Sequence, residues 1–183
     1  MEYRENTKEG LVIINTGEGK GKTTAALGLA LRAAGHGQKV LILQFIKGTW
    51  KTGEAKILDR LKPEIEMEQL GKGFIKFVDG KLQITDRDRK NAEQSLQYAK
   101  EKVNSGKYDM IILDEINNIV SYGLVDVREV VKLVKEKPKE LCMVLTGRGA
   151  PDELIDIADT VSEIKEIKHA YSKGIKAKKG IEY

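Results

Sequence analysis

The sequence predicts an α/β protein with the P-loop (RecA-like) fold, in which a mostly parallel central sheet is flanked by helices on both faces. Short, continuously apolar segments alternate along the chain with amphipathic segments of helical period. Such alternation is typical of parallel strands that are covered on both sides. A glycine-rich stretch, NTGEGKGKTT at 15–24, lies between the first apolar segment and the first helical one.

Length and composition predict one domain that spans 1–183. Domains commonly run to about 100–200 residues, and a chain of 183 residues can bury a core without disulfides or a structural metal. The amino terminus lacks the apolar stretch of a secretory signal. No apolar run approaches the roughly 20 residues of a membrane span. We therefore expect a cytoplasmic protein with no membrane partner.

The first half of the chain predicts three strands and two helices. The helix after the glycine-rich stretch should end at Gly35 or Gly37, because glycine is favoured just beyond a helix C-terminus. The other expected elements are strands at 11–15, 39–45 and 64–70, and a shorter helix at about 53–61 that ends before Pro63.

The second half predicts helices with recognisable starts. Thr85 and Asp88 have the spacing of a capping box ahead of a long helix, and Asp126 and Glu129 repeat that pattern. Another helix should start at Pro151, a residue favoured in the first turn. The strands expected in this half lie at 108–115, 141–147 and 160–167.

Three polar clusters follow predicted strands. They are the glycine-rich stretch, the segment DEIN at 114–117 and the segment TGRG at 146–149. In a parallel sheet the carboxyl ends of the strands share one edge, and ligands bind there. The three clusters are therefore expected to converge on one site.

The glycine-rich stretch predicts a nucleotide-binding loop, although its first glycine is displaced. The general pattern is G-x-x-x-x-G-K-[ST], and here Thr16 takes the first position while Gly17 supplies the glycine. Lys22 offers a point charge for phosphates, and the Thr23 hydroxyl is placed to ligate Mg²⁺. Glu18 should face water, since a carboxylate would repel a triphosphate. The predicted ATP-binding set is Gly17, Glu18, Gly19, Lys20, Gly21, Lys22, Thr23 and Thr24.

The two later clusters supply acids and an arginine. Asp114 is expected to contact Mg²⁺ directly or through water. Glu115 is either a further metal contact or, in an ATPase, the group that orients water. Helix capping is the alternative for the two acids. Arg148 is expected to neutralise phosphate charge, with a surface ion pair as the alternative. Lys22 and Arg148 are the predicted catalytic residues.

Several single residues carry weaker signals. Cys142 is predicted to be a core thiol, His36 to cap a helix end, and His169 to be a surface or hydrogen-bonding residue. Trp50 and Phe74 are expected either in the core or as apolar walls beside a ligand. The lysine-rich C-terminal segment raises nucleic-acid binding as an alternative, which the aromatic content of only 5% disfavours.

The motifs together resemble the P-loop-type ATP:corrinoid adenosyltransferases. Besides the three clusters, the segments QFIKGTWKTGE, GKGF, ADTVSEI and KHAYSKGIKAKKGIEY occur in the family's order, and the displaced glycine is the family's own form of the loop. The resemblance implies transfer of the 5′-deoxyadenosyl group of ATP to the Co(I) centre of a reduced corrinoid, cobalamin or cobyrinic acid diamide, with release of triphosphate. It also implies Mg²⁺, a homodimer, a Co(II) reductase such as a flavoprotein, and ATP bound in reverse orientation.

The resemblance extends to corrinoid-facing residues. Phe74 matches the first aromatic residue of a Gly-Phe-Thr-Trp element, but Ile75 and Lys76 replace the threonine and the tryptophan. We hypothesise that Phe74 and Phe77 together cover the lower face of the cobalt. Asn117 matches the family's acidic strand end and is assigned to the corrinoid side as well. Glu18 stands where the family commonly has asparagine.

Two alternatives to adenosyl transfer remain at this stage. A P-loop ATPase or kinase would use the same loop and acids on the γ-phosphate, and it would release ADP or orthophosphate instead of triphosphate. A RecA-like nucleic-acid-binding module would use the basic C-terminal segment, and its binding to single-stranded DNA would depend steeply on salt.

Overall fold

The computed structural model describes residues 9–46, 53–71, 76–78 and 81–181. Its strands are β1 Val12–Thr16, β2 Val40–Gln44, β3 Ile65–Gln69, β4 Lys76–Val78, β5 Lys81–Gln83, β6 Met110–Asp114, β7 Cys142–Thr146 and β8 Thr160–Glu163. Its helices are α1 Lys22–Ala34, α2 Gly53–Leu58, α3 Asp86–Val103, α4 Ile116–Ser121, α5 Val127–Lys135 and α6 Asp152–Ile155, with short 3₁₀ turns at Asp59–Leu61 and Ala170–Lys173.

Six strands form one sheet in the order β3-β2-β6-β7-β1-β8. Every neighbouring pair in this sheet is parallel, which confirms the predicted parallel architecture. The strands β4 and β5 form a separate antiparallel pair. Because β1 lies between β7 and β8, the glycine loop that follows β1 is flanked by the chain leaving both of these strands.

The helices cover both faces of the sheet, and two hydrophobic clusters show this directly. Alternate strand residues point to opposite faces: Leu41 and Leu43 belong to the cluster that includes α3 and α5, whereas Ile42 belongs to the cluster that includes α1. Helix α1 meets its face of the sheet through alanines, whose small side chains permit a close approach. These alanines are Ala26, Ala30 and Ala33.

The two predicted capping boxes have different outcomes. Thr85 accepts a hydrogen bond from the Asp88 backbone N–H while the Asp88 carboxylate accepts one from the Thr85 N–H, so the first box is confirmed. Ahead of α5, Asp126 does cap the helix, but Glu129 does not reach back to it. The Glu129 carboxylate accepts instead from Lys100 Nζ of α3 at 2.6 Å. A tertiary ion pair has replaced the local contact.

Other boundaries differ slightly from expectation. Helix α6 begins at Asp152 with Pro151 as its N-cap. Strand β8 ends at Glu163, four residues before the predicted end, because its partner β1 ends at Thr16 and the last pair is Thr16 with Glu163. Cys142 is a half-buried free thiol beside the α1 cluster. Among the described residues, no helix combines the length and apolarity needed to cross a membrane.

Replacing Thr85 by alanine should destabilise the protein by about 1 kcal/mol near neutral pH, because an N-cap hydroxyl is lost. Hydrogen bonding by Thr85, first from its side chain and then from its backbone, holds the pKa of Asp88 below the ordinary value of 3.8. The stabilisation is therefore present above that value and is lost as pH falls through the lower pKa of the folded state.

Chemical denaturation of wild type and Thr85→Ala across pH measures this effect. The difference in unfolding free energy should narrow as pH falls below 3.8. Thr85→Ser keeps the hydroxyl and serves as the matched control, with wild-type stability expected. A gap between wild type and Thr85→Ala that stays constant with pH would contradict the reciprocal hydrogen bond.

Candidate nucleotide site

The glycine loop between β1 and α1 is held from inside by its own lysine. Lys22 Nζ donates hydrogen bonds to the carbonyl oxygens of Gly17 and Gly19, both at 2.6 Å. Burial of the ammonium group, and then the nearby charge of Arg148, lower the pKa of Lys22 from its ordinary value, while Glu18 and Glu115 oppose this. The lysine is thus both a structural brace of the loop and a charge at its centre.

The loop is held from outside by the chain that leaves β8. The Gly19 N–H donates to Ile164 O at 2.7 Å. A Cβ atom on Gly17 would lie 2.5 Å from the same oxygen, and Gly17 also has a φ of +94° that disfavours other residues. These glycines are therefore required by the close approach of two backbone segments as well as by any phosphate.

Asp114 lies at the centre of the strand edge. Its side chain is fully buried, and its Oδ1 accepts from Thr23 Oγ1 at 2.8 Å and from Thr146 Oγ1 at 2.7 Å. Its Oδ2 accepts from Gln44 Nε2 at 3.0 Å. One carboxylate therefore joins the ends of β2, β6 and β7 to the first turn of α1. The predicted partners Thr23 and Asp114 are adjacent.

Gln44 and Thr146 were not singled out from the sequence. Each is a polar last residue of an otherwise apolar, buried strand, and this position at a strand's carboxyl end was the available signal. Gln44 lies directly opposite Asp114 in the register of the sheet. Thr146 also accepts from the Glu115 backbone N–H at 2.9 Å, so its hydroxyl orders both acids of the DEIN segment.

The short helix α4 starts at these acids and was not predicted. Glu115 precedes it with a left-handed φ of 68°, a conformation that is uncommon for a residue other than glycine. The resulting turn sends the chain away from the sheet at once. The Glu115 side chain consequently borders the cavity, whereas Asp114 stays beneath the strand edge.

The TGRG loop approaches α4 closely. A Cβ atom on Gly147, whose φ is +133°, would lie 2.4 Å from Asn118 Oδ1. The same oxygen accepts from the Arg148 backbone N–H at 3.0 Å. Asn118 therefore fixes the arginine loop and also borders the cavity. Asn117, which the resemblance assigned to the corrinoid side, is fully buried and does not border it; the start of α4 decides which asparagine is accessible.

Arg148 forms the surface ion pair that was its alternative assignment. Its Nε lies 3.2 Å from Glu18 Oε2, and both side chains are more than half exposed. Glu18 thus faces solvent, as expected, and also faces the arginine. Because exposed ion pairs are weak, on the order of 0–1 kcal/mol, a phosphate could replace the Glu18 carboxylate at little cost.

These groups surround a cavity of about 810 Å³. Its walls come from the glycine loop, the ends of β6 and β7, Ile46 just after β2, the start of α2, and the C-terminal segment. The C-terminal contributors are Glu166, His169, Gly180 and Ile181. His169 Nδ1 accepts from the Tyr171 N–H at 3.2 Å, which agrees with its predicted hydrogen-bonding role.

The donor set suits Mg²⁺ better than a transition metal. Within the described ranges no group of three histidine, cysteine or acidic side chains could hold a metal ion. Magnesium commonly binds through one or two protein oxygens plus substrate phosphates, and Thr23 Oγ1 and Asp114 Oδ1 lie 2.8 Å apart beside the cavity. A hydroxyl oxygen and a carboxylate oxygen at this spacing fit two adjacent positions in the octahedral coordination shell of one Mg²⁺ ion.

Three aromatic residues with predicted roles lie at or beyond the limit of what the structure describes. Phe74 and Trp50 lie outside the described residues. Phe77 lies in β4, where its backbone is paired with Leu82. The corrinoid-facing roles of Phe74 and Phe77 remain predictions.

Replacing Glu18 by glutamine should strengthen binding of inorganic triphosphate by up to about five-fold, because the arginine is released and a repelling charge is removed. Calorimetric titration with triphosphate measures the change. Glu166→Gln is the matched control, since it neutralises another carboxylate of the same cavity. An equal gain in both variants would show that only net charge matters and would contradict the specific pairing.

Both the fold and the sequence of this chain have counterparts among known proteins. Among solved structures, the KaiC-like protein PH0186 from Pyrococcus horikoshii OT3 superposes with a TM-score of 0.53 at 16% identity, covering 88% of this chain and 76% of that chain. This likeness concerns the fold alone and agrees with the RecA-like prediction.

Relatives in sequence are much closer. The chain is 41% identical over 178 residues to a corrinoid adenosyltransferase of a Sinorhizobium species, covering 96% of this chain and 81% of the relative. It is 40% identical over 176 residues to the corrinoid adenosyltransferase of Escherichia coli K12, covering 96% and 87%. The family model described as ATP:corrinoid adenosyltransferase BtuR/CobO/CobP matches residues 8–183. The chain therefore belongs to the ATP:corrinoid adenosyltransferase family.

Proposed function

We propose that this chain transfers the 5′-deoxyadenosyl group of ATP to the Co(I) centre of a reduced corrinoid and releases triphosphate. Family membership over nearly the whole chain supports this activity. The observation that supports the location is that Lys22 and Thr23 line an 810 Å³ cavity while the buried Asp114 accepts a hydrogen bond from Thr23. Such a volume lies within the range of about 300–1,000 Å³ for small-molecule sites.

The reaction is a substitution at carbon. Co(I) supplies an electron pair that forms the cobalt–carbon bond to C5′, and the bond between C5′ and the α-phosphate oxygen breaks. That oxygen leaves with its electron pair as part of triphosphate, and the cobalt is formally oxidised to Co(III). The nucleophile belongs to the substrate, so the protein needs no nucleophilic side chain and no general base. Its task is to align the two substrates and exclude water.

The chain's own cations act on the leaving group. Negative charge grows on the α-phosphate oxygens as the carbon–oxygen bond breaks, and fixed positive groups lower the energy of that state. We assign this role to Lys22, braced at the centre of the loop, and to Arg148, which exchanges Glu18 for a phosphate oxygen. The remaining contacts come from the rest of the predicted loop set, Gly17, Gly19, Lys20, Gly21, Thr23 and Thr24, whereas the Glu18 side chain gives up Arg148 and faces solvent.

Mg²⁺ fits beside Lys22 and Arg148. Thr23 and Asp114 would hold it, with Glu115 as the further oxygen at the cavity wall. When bound, it would neutralise part of the triphosphate charge. The two buried hydrogen bonds from Gln44 and Thr146 keep the Asp114 carboxylate in a fixed orientation toward Thr23.

The second substrate and the protein partners are further proposals. Cobalamin or cobyrinic acid diamide is the acceptor, and Phe74 and Phe77 are its assigned neighbours by family resemblance. The third assigned residue, Asn117, is fully buried and does not border the cavity. A homodimer is proposed on the same ground. A reductase such as a flavoprotein is required because the reaction consumes Co(I).

Incubation with MgATP and chemically reduced cobalamin tests the activity. The corrinoid absorption spectrum reports the cobalt–carbon bond, and chromatography of the phosphates reports the leaving group. We expect one triphosphate for each alkylated corrinoid. Release of ADP and orthophosphate with unmodified cobalt would instead indicate an ATPase or kinase.

Replacing Lys22 or Thr23 by alanine should strongly reduce turnover. Lys22→Ala and Thr23→Ala should each lower kcat by roughly 10²-fold or more, since each removes stabilisation of the leaving triphosphate. Thr23→Ser keeps the hydroxyl and should retain most activity. Lys90→Ala, at an exposed position of α3, is the control for loss of a lysine. Near-normal turnover in Lys22→Ala would contradict the assigned role of the loop.

A further inference from the structure

The segment after β8, residues 164–181, is fastened to the glycine loop at both of its ends. At its start, Ile164 O accepts from the Gly19 N–H at 2.7 Å. At its end, Ile181 O accepts from Lys20 Nζ at 2.8 Å. The chain between these two contacts forms one wall of the cavity, so it is positioned by the same loop that is assigned to the triphosphate.

One side chain of this segment differs from the rest. From 165 to 181 every residue is exposed except His169, which is half-buried, and His169 borders the cavity. Large apolar side chains nearby, such as Ile167 and Tyr171, are instead 90% and 77% exposed. The segment therefore turns a polar ring inward while the apolar side chains of Ile167 and Tyr171 stay in solvent.

The hydrogen bond made by His169 fixes which of its nitrogens is available. Nδ1 accepts from the Tyr171 N–H at 3.2 Å, and a ring nitrogen that accepts carries no proton. A neutral imidazole then has its proton on Nε2. Within the described part of the chain, no protein group hydrogen-bonds to this Nε2. The site thus holds an oriented N–H donor at the cavity wall.

We propose that His169 is an ATP-binding residue whose Nε2–H donates a hydrogen bond to an acceptor atom of the nucleotide. The proposal rests on the proposed function, because it takes the cavity to be the ATP site. Phosphate oxygens, ribose oxygens and adenine nitrogens all accept such a bond. The C-terminal segment then contributes directly to nucleotide affinity. Its position is set by its hydrogen bonds to the glycine loop.

A purely structural role for His169 is separable from this one. As the N-cap of the 3₁₀ turn Ala170–Lys173, the ring acts only through Nδ1. Asparagine places a polar atom near the Nδ1 position and is a favoured N-cap, but it has nothing near Nε2. Glutamine reaches the Nε2 position with an N–H donor and is a poor N-cap. The two roles therefore predict opposite orders of affinity.

Calorimetric titration of wild type, His169→Asn and His169→Gln with MgATP decides between them. We expect His169→Asn to bind about ten-fold more weakly, as for loss of a hydrogen bond to a polar or charged ligand. His169→Gln should stay within about three-fold of wild type, because an amide donor replaces the ring N–H. The opposite order, equal losses in both variants, or no loss in either overturns the proposal.

His36→Asn is the matched control. His36 is the other histidine of the chain and lies exposed just beyond α1, outside the cavity lining. It should bind MgATP as wild type does. Thermal unfolding of each variant checks that the fold is retained, and since His169 lies in an exposed segment we expect unchanged midpoints.

Two smaller probes locate the acceptor atom. If His169→Asn weakens binding of inorganic triphosphate, the contact is to a phosphate; if it weakens binding of adenosine, the contact is to the nucleoside. Either result supports the proposal. Wild-type protein that binds neither MgATP nor triphosphate would refute the proposed function itself. Wild-type protein that binds both while His169→Asn binds them equally well would refute this inference alone.

Discussion

The arrangement of the site depends on one buried carboxylate. A fully buried Asp114 would be costly without partners, because an unpaired charge loses its hydration. Donors from three separate elements, Thr23, Thr146 and Gln44, replace that hydration. The hydrogen bonds to the Asp114 carboxylate therefore fix where α1 starts relative to the ends of β2, β6 and β7. The position of the glycine loop follows, since its last residues lead directly into α1.

Hydrogen bonds within the protein itself hold the glycine loop in its conformation. On the inner side, Lys22 Nζ donates hydrogen bonds to two carbonyl oxygens of the loop. On the outer side, the Gly19 N–H donates a hydrogen bond to Ile164 O. A preorganised loop loses little conformational freedom when it binds an anion, and fixed dipoles need not reorganise as charge develops. The sheet order explains the outer contact, because β8 is the neighbour of β1 and its continuation must pass beside the loop.

Opposite charges inside the cavity balance one another. Arg148 is close enough to Lys22 to help lower the pKa of Lys22, after burial, and Glu18 and Glu115 oppose that effect. The Glu18–Arg148 pair lies where solvent screens it, so its replacement by phosphate changes the energy little. Arg148 is more than half exposed and is available to the leaving group, whereas Lys22 is half-buried within the loop.

The sequence by itself determined the parallel sheet, the glycine loop, the capping box at Thr85 and the convergence of three polar clusters on one strand edge. These features follow from local patterns: apolar runs, glycine spacing and side chains that bond to nearby backbone. Only the tertiary structure decided that Glu129 pairs with Lys100, that Gln44 and Thr146 complete the Asp114 network, and that Asn118 rather than Asn117 borders the cavity. It also decided that the C-terminal segment turns His169 inward. These contacts join residues far apart in the chain, and their partners are set by strand order and by the turn at Glu115, which no local pattern encodes.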